Sequence, residues 1–131
     1  MRLRSYVVPA WAKKLIQEIS TEEHIRSPRV VWMKRNDRQE SSARAWTNEI
    51  RFVAGSNRRY AKEVLIHEMC HVILGQKGAF RGNRGHGAAF YAKLFEVGKR
   101  HRVGVAFIKQ REMWYKPRGV KAGYRLYLKT R

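Results

Sequence analysis

Residues 67 to 71 read HEMCH. On a helix, His67 and His71 would lie one above the other, with Cβ atoms about 5 to 6 Å apart. Two imidazoles at that spacing can both reach one ion at about 2.0 to 2.1 Å. Glu68 projects toward the cleft beside the ion and is not required as a ligand. It can take a proton from water and pass it to a leaving amine. A zinc ion does the harder part, since it lowers the pKa of a bound water to about 7 and polarises a carbonyl. Composition alone would place this pattern in the chain about 0.01 times, given 5 His and 9 Glu in 131 residues. The bland alternative is a structural helix whose histidines face solvent or are satisfied in the core.

Catalytic zinc takes three protein ligands and keeps the fourth position for water. Two residues are candidates for the third ligand. His86 follows a loop, QKGAFRGNRGHG at 76 to 87, and opens the next helix. Glycines at 75, 78, 82, 85 and 87 let the chain turn back tightly, which favours His86. Glu96, within that next helix, is the alternative, as in other HExxH enzymes. Oxyanion stabilisation would need a donor opposite Glu68. Tyr91, Tyr115, Tyr124, Arg81 and Arg84 all qualify, and spacing does not choose among them. Asp37 is the only aspartate. That excludes a pair of aspartates sharing a proton, and any Ser-His-Asp triad not built on Asp37.

The elements that must position these residues read as α+β, a small antiparallel-rich sheet packed against helices. Pro9 opens a first helix, AWAKKLIQEIS, with Trp11, Leu15, Ile16 and Ile19 on one face. RVVWM (29 to 33), ARAW (43 to 46) and EIRFV (49 to 53) read as strands, the last two around a Thr47-Asn48 turn. Asn57 is a candidate cap for a helix over Tyr60 to Leu74, which carries HEMCH and ends at Gly75. Its apolar face is Val64, Leu65, Met69, Val72 and Ile73. Another helix runs from about Gly87 to Arg102, burying Phe90, Leu94, Phe95 and Val97. The end of the chain is ambiguous, and YRLYLK alternates like a strand. Cys70 reads as buried packing. Trp11, Trp32 and Trp46 read as core, and His24 and His101 as surface residues.

The length suggests one domain over residues 1–131, with a basic aromatic segment at 103–131. A lone cysteine rules out an intrachain disulfide and a Cys₄ zinc site. No signal peptide and no membrane span are read, so an intracellular setting is expected; a monomer is a separate expectation. Cytoplasm, nucleoid and nucleus all fit, and a virus-encoded origin stays open. Lys and Arg number 29 against 10 acids, for a net charge of +19. That surface attracts polyanions, and DNA is the first partner to consider, single- or double-stranded. Residues 99 to 131 hold eleven Lys or Arg and one acid, Glu112. Phe107, Trp114, Tyr115, Tyr124 and Tyr127 are interleaved. Cations tracking phosphates, with rings on which bases stack, is single-strand chemistry. The candidate contacts are Arg81, Arg84, Lys109, Arg111, Trp114, Lys116, Arg118, Lys121 and Arg125. The bland reading packs the rings onto the core.

Three segments together, ARAWTNEIRF, LIHEMCHVILG and GHGAAF, resemble the SprT-like metallopeptidase domain of the Spartan type. The likeness covers about residues 9 to 102. It implies a minimal zincin-like fold, one zinc ion on His67, His71 and His86, and Glu68 as general base. It also implies a DNA-associated endopeptidase, with DNA–protein crosslinks as the kind of substrate. Ala88-Ala89 stand where the family often has Pro-Glu, and no Cys-rich zinc ribbon follows. Two other readings stand beside this one. The first is a nucleic-acid-binding module braced by a structural zinc. The second is a metallopeptidase that cleaves a repressor.

Overall fold

Pro9 ends an extended segment, and helix α1 follows over Ala10–Glu22. Ala12, Leu15, Ile16, Ile19 and Ser20 are its buried residues. Their three- and four-residue spacing makes one apolar stripe on a polar helix. The structure, a computed structural model, describes residues 5–34, 42–44, 48–54, 58–77, 86–113 and 115–130. These fall into two compact units, Met1–Lys77 and Gly78–Arg131. The expectations for Asn57, Trp46 and Thr47 lie outside the described residues.

The first unit holds α1, four strands and α2 (Arg58–Gln76). The strands are β1 (Ser5–Tyr6), β2 (Arg29–Lys34), β3 (Ser42–Arg44) and β4 (Glu49–Ala54), in the sheet order β1-β2-β4-β3. The expected antiparallel-rich sheet needs correction. Its longest pairing, β2 with β4, is parallel from Arg29↔Glu49 to Lys34↔Ala54. Among the described residues, the short outer strands β1 and β3 alone pair antiparallel. The physical reason is that β3 folds back on the far side of β4, which leaves β4 free to lie beside β2. Alternation then sets the faces. Ile50 and Phe52 are buried while Arg51 between them is exposed. Trp32 sits opposite Phe52 in the parallel register and stacks on it, with centroids 4.3 Å apart and planes at 19°. Trp11 of α1 meets Trp32 edge-on at 5.9 Å.

Helix α2 runs past the expected stop at Gly75 and ends at Gln76. Gln76 itself explains the extension. Its amide donates to the Arg26 carbonyl and to Asn48 Oδ1, each at 2.8 Å, and its carbonyl accepts from the Arg26 N–H at 2.9 Å. One side chain thus ties the last turn to the α1–β2 connection and to the turn before β4. Gln76→Ala would remove three hydrogen bonds, the one to Asn48 part-buried and the two to Arg26 exposed. A loss of about 1 to 3 kcal/mol is expected, read by urea unfolding as a lower midpoint at unchanged slope.

The second unit is helical: α3 (Ala88–Arg100), α4 (Val105–Glu112) and α5 (Pro117–Lys129). Phe90, Leu94, Phe95 and Val97 are buried as expected. Helix α3 ends in a Schellman turn. The Val103 N–H donates to the Gly98 carbonyl at 2.8 Å, and the Arg102 N–H donates to that of Lys99 at 3.2 Å. Arg102 takes φ 65°, the left-handed position this motif needs. His101 is the residue before it and is buried, not on the surface as expected. YRLYLK is also corrected, because it belongs to α5. Pro117 starts that helix at a position where its missing N–H costs nothing. Val120, Gly123 and Tyr127 then fall on one buried face at helical spacing. Tyr127 and Tyr124 pack on Phe95, with centroids 5.8 and 5.6 Å away. Among the described residues, no helix is long and apolar enough to cross a membrane.

Candidate metal centre

From Leu65 to Leu74 helix α2 is buried on most sides, with Glu63 and Glu68 among its buried residues. Leu65, Ile66, Met69, Cys70, Val72 and Ile73 are fully buried. Val64, His67, His71 and Gly75 make a half-open stripe along it. Sequence spacing dictates that stripe, since steps of three and four residues keep to one side of an α-helix. The two histidine rings lie 5.1 Å apart, centroid to centroid, with planes at 67°. Each offers a ring nitrogen within 4.8 Å of the other. This pair is a candidate metal clamp: two imidazole nitrogen donors, one turn apart, at an opening in an otherwise closed helix.

Glu68 lies next to His67 on the edge of that stripe and is 5% exposed. Cys70 is fully buried, which fits the packing expectation. Sequence reasoning passed over Glu63. It stands one turn before His67, is 1% exposed, and brings a carboxylate oxygen within 4.8 Å of a His67 ring nitrogen. A carboxylate behind a ligating histidine fixes its tautomer and raises its basicity. The signal was readable, because Glu63, His67 and His71 follow at steps of four.

His86 belongs to the second unit, at the bend before α3. Among the described residues, three aromatic rings lie near its imidazole. Phe90 is 5.0 Å away and Tyr115 5.7 Å away, both edge-on, and Tyr91 lies tilted at 6.3 Å. The alternative third ligand, Glu96, is exposed on α3. It pairs there with Lys93 at 3.2 Å and Arg100 at 3.8 Å. Among the oxyanion candidates, Tyr91 is fully buried and donates its hydroxyl to Glu112 at 3.2 Å. Arg81 and Arg84 lie outside the described residues, as does Trp114.

The second unit carries fourteen Lys or Arg against two Glu. Arg118, Lys121, Arg125 and Lys129 are exposed at helical spacing on α5, which makes one basic stripe. Lys116 is exposed before it, 5.1 Å from the Tyr115 ring. Lys109 and Arg111 are half-buried, and the Lys109 ammonium lies 3.4 Å over the Tyr124 ring. That contact, with the packing of Tyr127 on Phe95, withdraws two of the rings expected to stack on bases. The expected contacts of this surface therefore divide. The α5 cations point to solvent and Tyr115 is exposed, while Tyr124 and Tyr127 pack on Phe95.

No curated protein and no solved structure matches the chain. The profile of the SprT-like family matches residues 8–110, a span that takes in α1, the sheet strands from β2 on, α2, the histidine at 86 and α3. With most of its length matched, and with the HEMCH helix and the GHG turn inside the matched span, the chain belongs to the SprT-like family.

Proposed function

We propose that this chain is a zinc-dependent endopeptidase that cleaves proteins held at or near DNA. The observation that carries the reading is the His67–His71 clamp with buried Glu68 beside it, on the central helix of a SprT-like chain. His86 would complete the ligand set. All three histidines are half-buried, each with one ring nitrogen to give. When bound, zinc supplies an activated water and a polarised scissile carbonyl.

The chain's own residues do the rest. Glu68 takes the proton from the attacking water and returns it to the leaving amine. Its burial sets it beside the clamp and away from bulk water. Glu63 keeps the His67 ring oriented from behind. The basic stripe on α5 does not speed the chemistry. It raises the local concentration of enzyme around DNA-bound substrate.

Two experiments test this reading. In the first, a basic DNA-binding protein is incubated with the chain, with and without single- or double-stranded DNA, and with and without a chelator. DNA-stimulated cleavage that the chelator abolishes is expected, and cleavage indifferent to the chelator contradicts the proposal. In the second, DNA affinity is followed over a salt series. The slope of log K against log salt is expected to be steep, at about −0.9 per phosphate neutralised on duplex DNA. Reversing Lys121 and Arg125 to Glu removes two such contacts and should flatten the slope by about two. An unchanged slope would take α5 out of the DNA surface.

A further inference from the structure

Helix α5 lies beyond the span that matches the family, yet it presses directly on the segment that begins with His86. A Cβ built on Gly119 would collide with the His86 carbonyl oxygen and sit 3.0 Å from the Tyr91 ring. A Cβ on Gly123, one turn on, would collide with Tyr91 Cβ and lie 3.0 Å from the Ala88 carbonyl and the Ala92 nitrogen. The two glycines therefore let the α5 backbone lie flush along residues 86 to 92. Tyr115, in the connection into α5, adds its ring edge against the His86 imidazole. The hydroxyl of Tyr91, caught between α3 and α5, is held by Glu112 of α4. The backbone and the ring of His86 are thus both packed by residues between 90 and 123 of the same unit.

From this packing we infer that α5 is a brace for the third metal ligand, with Gly119, Gly123 and Tyr115 as positioning residues for His86. The inference rests on the proposed zinc reading. The physical reason is that a histidine ligand at a bend has two soft backbone angles per residue around it. It stays in place for an ion only if something fixes the bend. Here a bare helix backbone does so, because nothing larger than a hydrogen fits between residue 119 and the His86 carbonyl.

The test is zinc affinity of the full chain, measured by competition with a chromophoric chelator, alongside circular dichroism and thermal melting. Four variants are compared with the parent: His86→Ala, Gly119→Ala, Tyr115→Ala and Gly104→Ala. Residue 104 is the control, since a Cβ there meets nothing within 4 Å. Gly119→Ala is expected to keep its helical spectrum and lose about tenfold or more in zinc affinity, the range seen when a ligand's support is removed. Gly104→Ala should bind as the parent does. If Gly119→Ala does not fold, Tyr115→Ala decides, because residue 115 is half-exposed and its truncation spares the core. A threefold or greater loss there supports the brace. Parental affinity in a folded Gly119→Ala, or in Tyr115→Ala when the glycine variant fails, overturns it. If His86→Ala itself binds zinc as the parent does, the ligand assignment is what fails. Loss in His86→Ala with none in the others fails the brace alone.

Discussion

Glu68→Gln is expected to abolish peptide cleavage while leaving zinc and DNA binding unchanged. The amide keeps the size and shape of the carboxylate but cannot accept the proton of an attacking water. General acid–base catalysis of this kind is worth about 10² to 10⁴ in rate, or about 2.7 to 5.4 kcal/mol at 1.36 per tenfold. The variant should fold normally. Glu68 is 5% exposed, and replacing a buried carboxylate with a neutral isostere removes a desolvated charge rather than creating one. Single-turnover cleavage assays on matched zinc-loaded samples read the effect. A variant that cleaves within tenfold of the parent would remove Glu68 from the proton-transfer role. A variant that also loses zinc would make it a ligand.

The second large effect concerns the sheet that supports α2. Phe52→Ala is expected to destabilise the first unit by about 3 to 5 kcal/mol. Phe52 is fully buried and stacked on Trp32 at 4.3 Å. Trp32 in turn meets Trp11 of α1. Truncation removes the transfer energy of the ring, leaves a cavity at the junction of helix and sheet, and breaks an aromatic pair worth about 0.5 to 1.5 kcal/mol beyond area. A loss of this size is a large part of a small unit's total stability. Zinc binding should weaken with it, because β3 and β4 pack on α2. Leu128→Ala makes the contrast. Residue 128 is 44% exposed on α5, and a change within about 0.5 kcal/mol is expected. Chemical denaturation of both variants separates the two cases. Equal losses would mean that the Trp11–Trp32–Phe52 stack is not the core of the first unit.

The parts of the fold that were legible are those where period and burial coincide. Ala12 to Ser20 repeat at helical spacing, Ile50 and Phe52 alternate, and Phe90, Leu94 and Val97 mark one face of α3. Strand alternation shows which face is buried but not which strand lies alongside or in which direction. The parallel pairing of β2 with β4 was therefore hidden. YRLYLK misled for a related reason. Its alternation, Tyr124, Leu126 and Leu128 against Arg125, Tyr127 and Lys129, is local, whereas the helix is set by Pro117 at the start and by burial at 120, 123 and 127. The candidate site divides in the same way. His67, Glu68 and His71 could be read because one helix fixes their spacing. Support from Glu63 was readable by the same rule. The pressure of Gly119 on His86 was not, since it depends on how α5 crosses α3.

The account rests on His67, His71 and His86 holding one zinc ion with a position left open. X-ray absorption at the zinc edge, on chain loaded with one equivalent of zinc, tests this most directly. The account predicts stoichiometric uptake and a first shell of three imidazole nitrogens at about 2.0 to 2.1 Å. It also predicts a fourth ligand that exchanges when a small hydroxamate is added. Loss of one imidazole from the shell in His86→Ala would assign the third nitrogen. No uptake, or a shell filled by four protein ligands that ignores the hydroxamate, would contradict the account and leave zinc a bracing role at most.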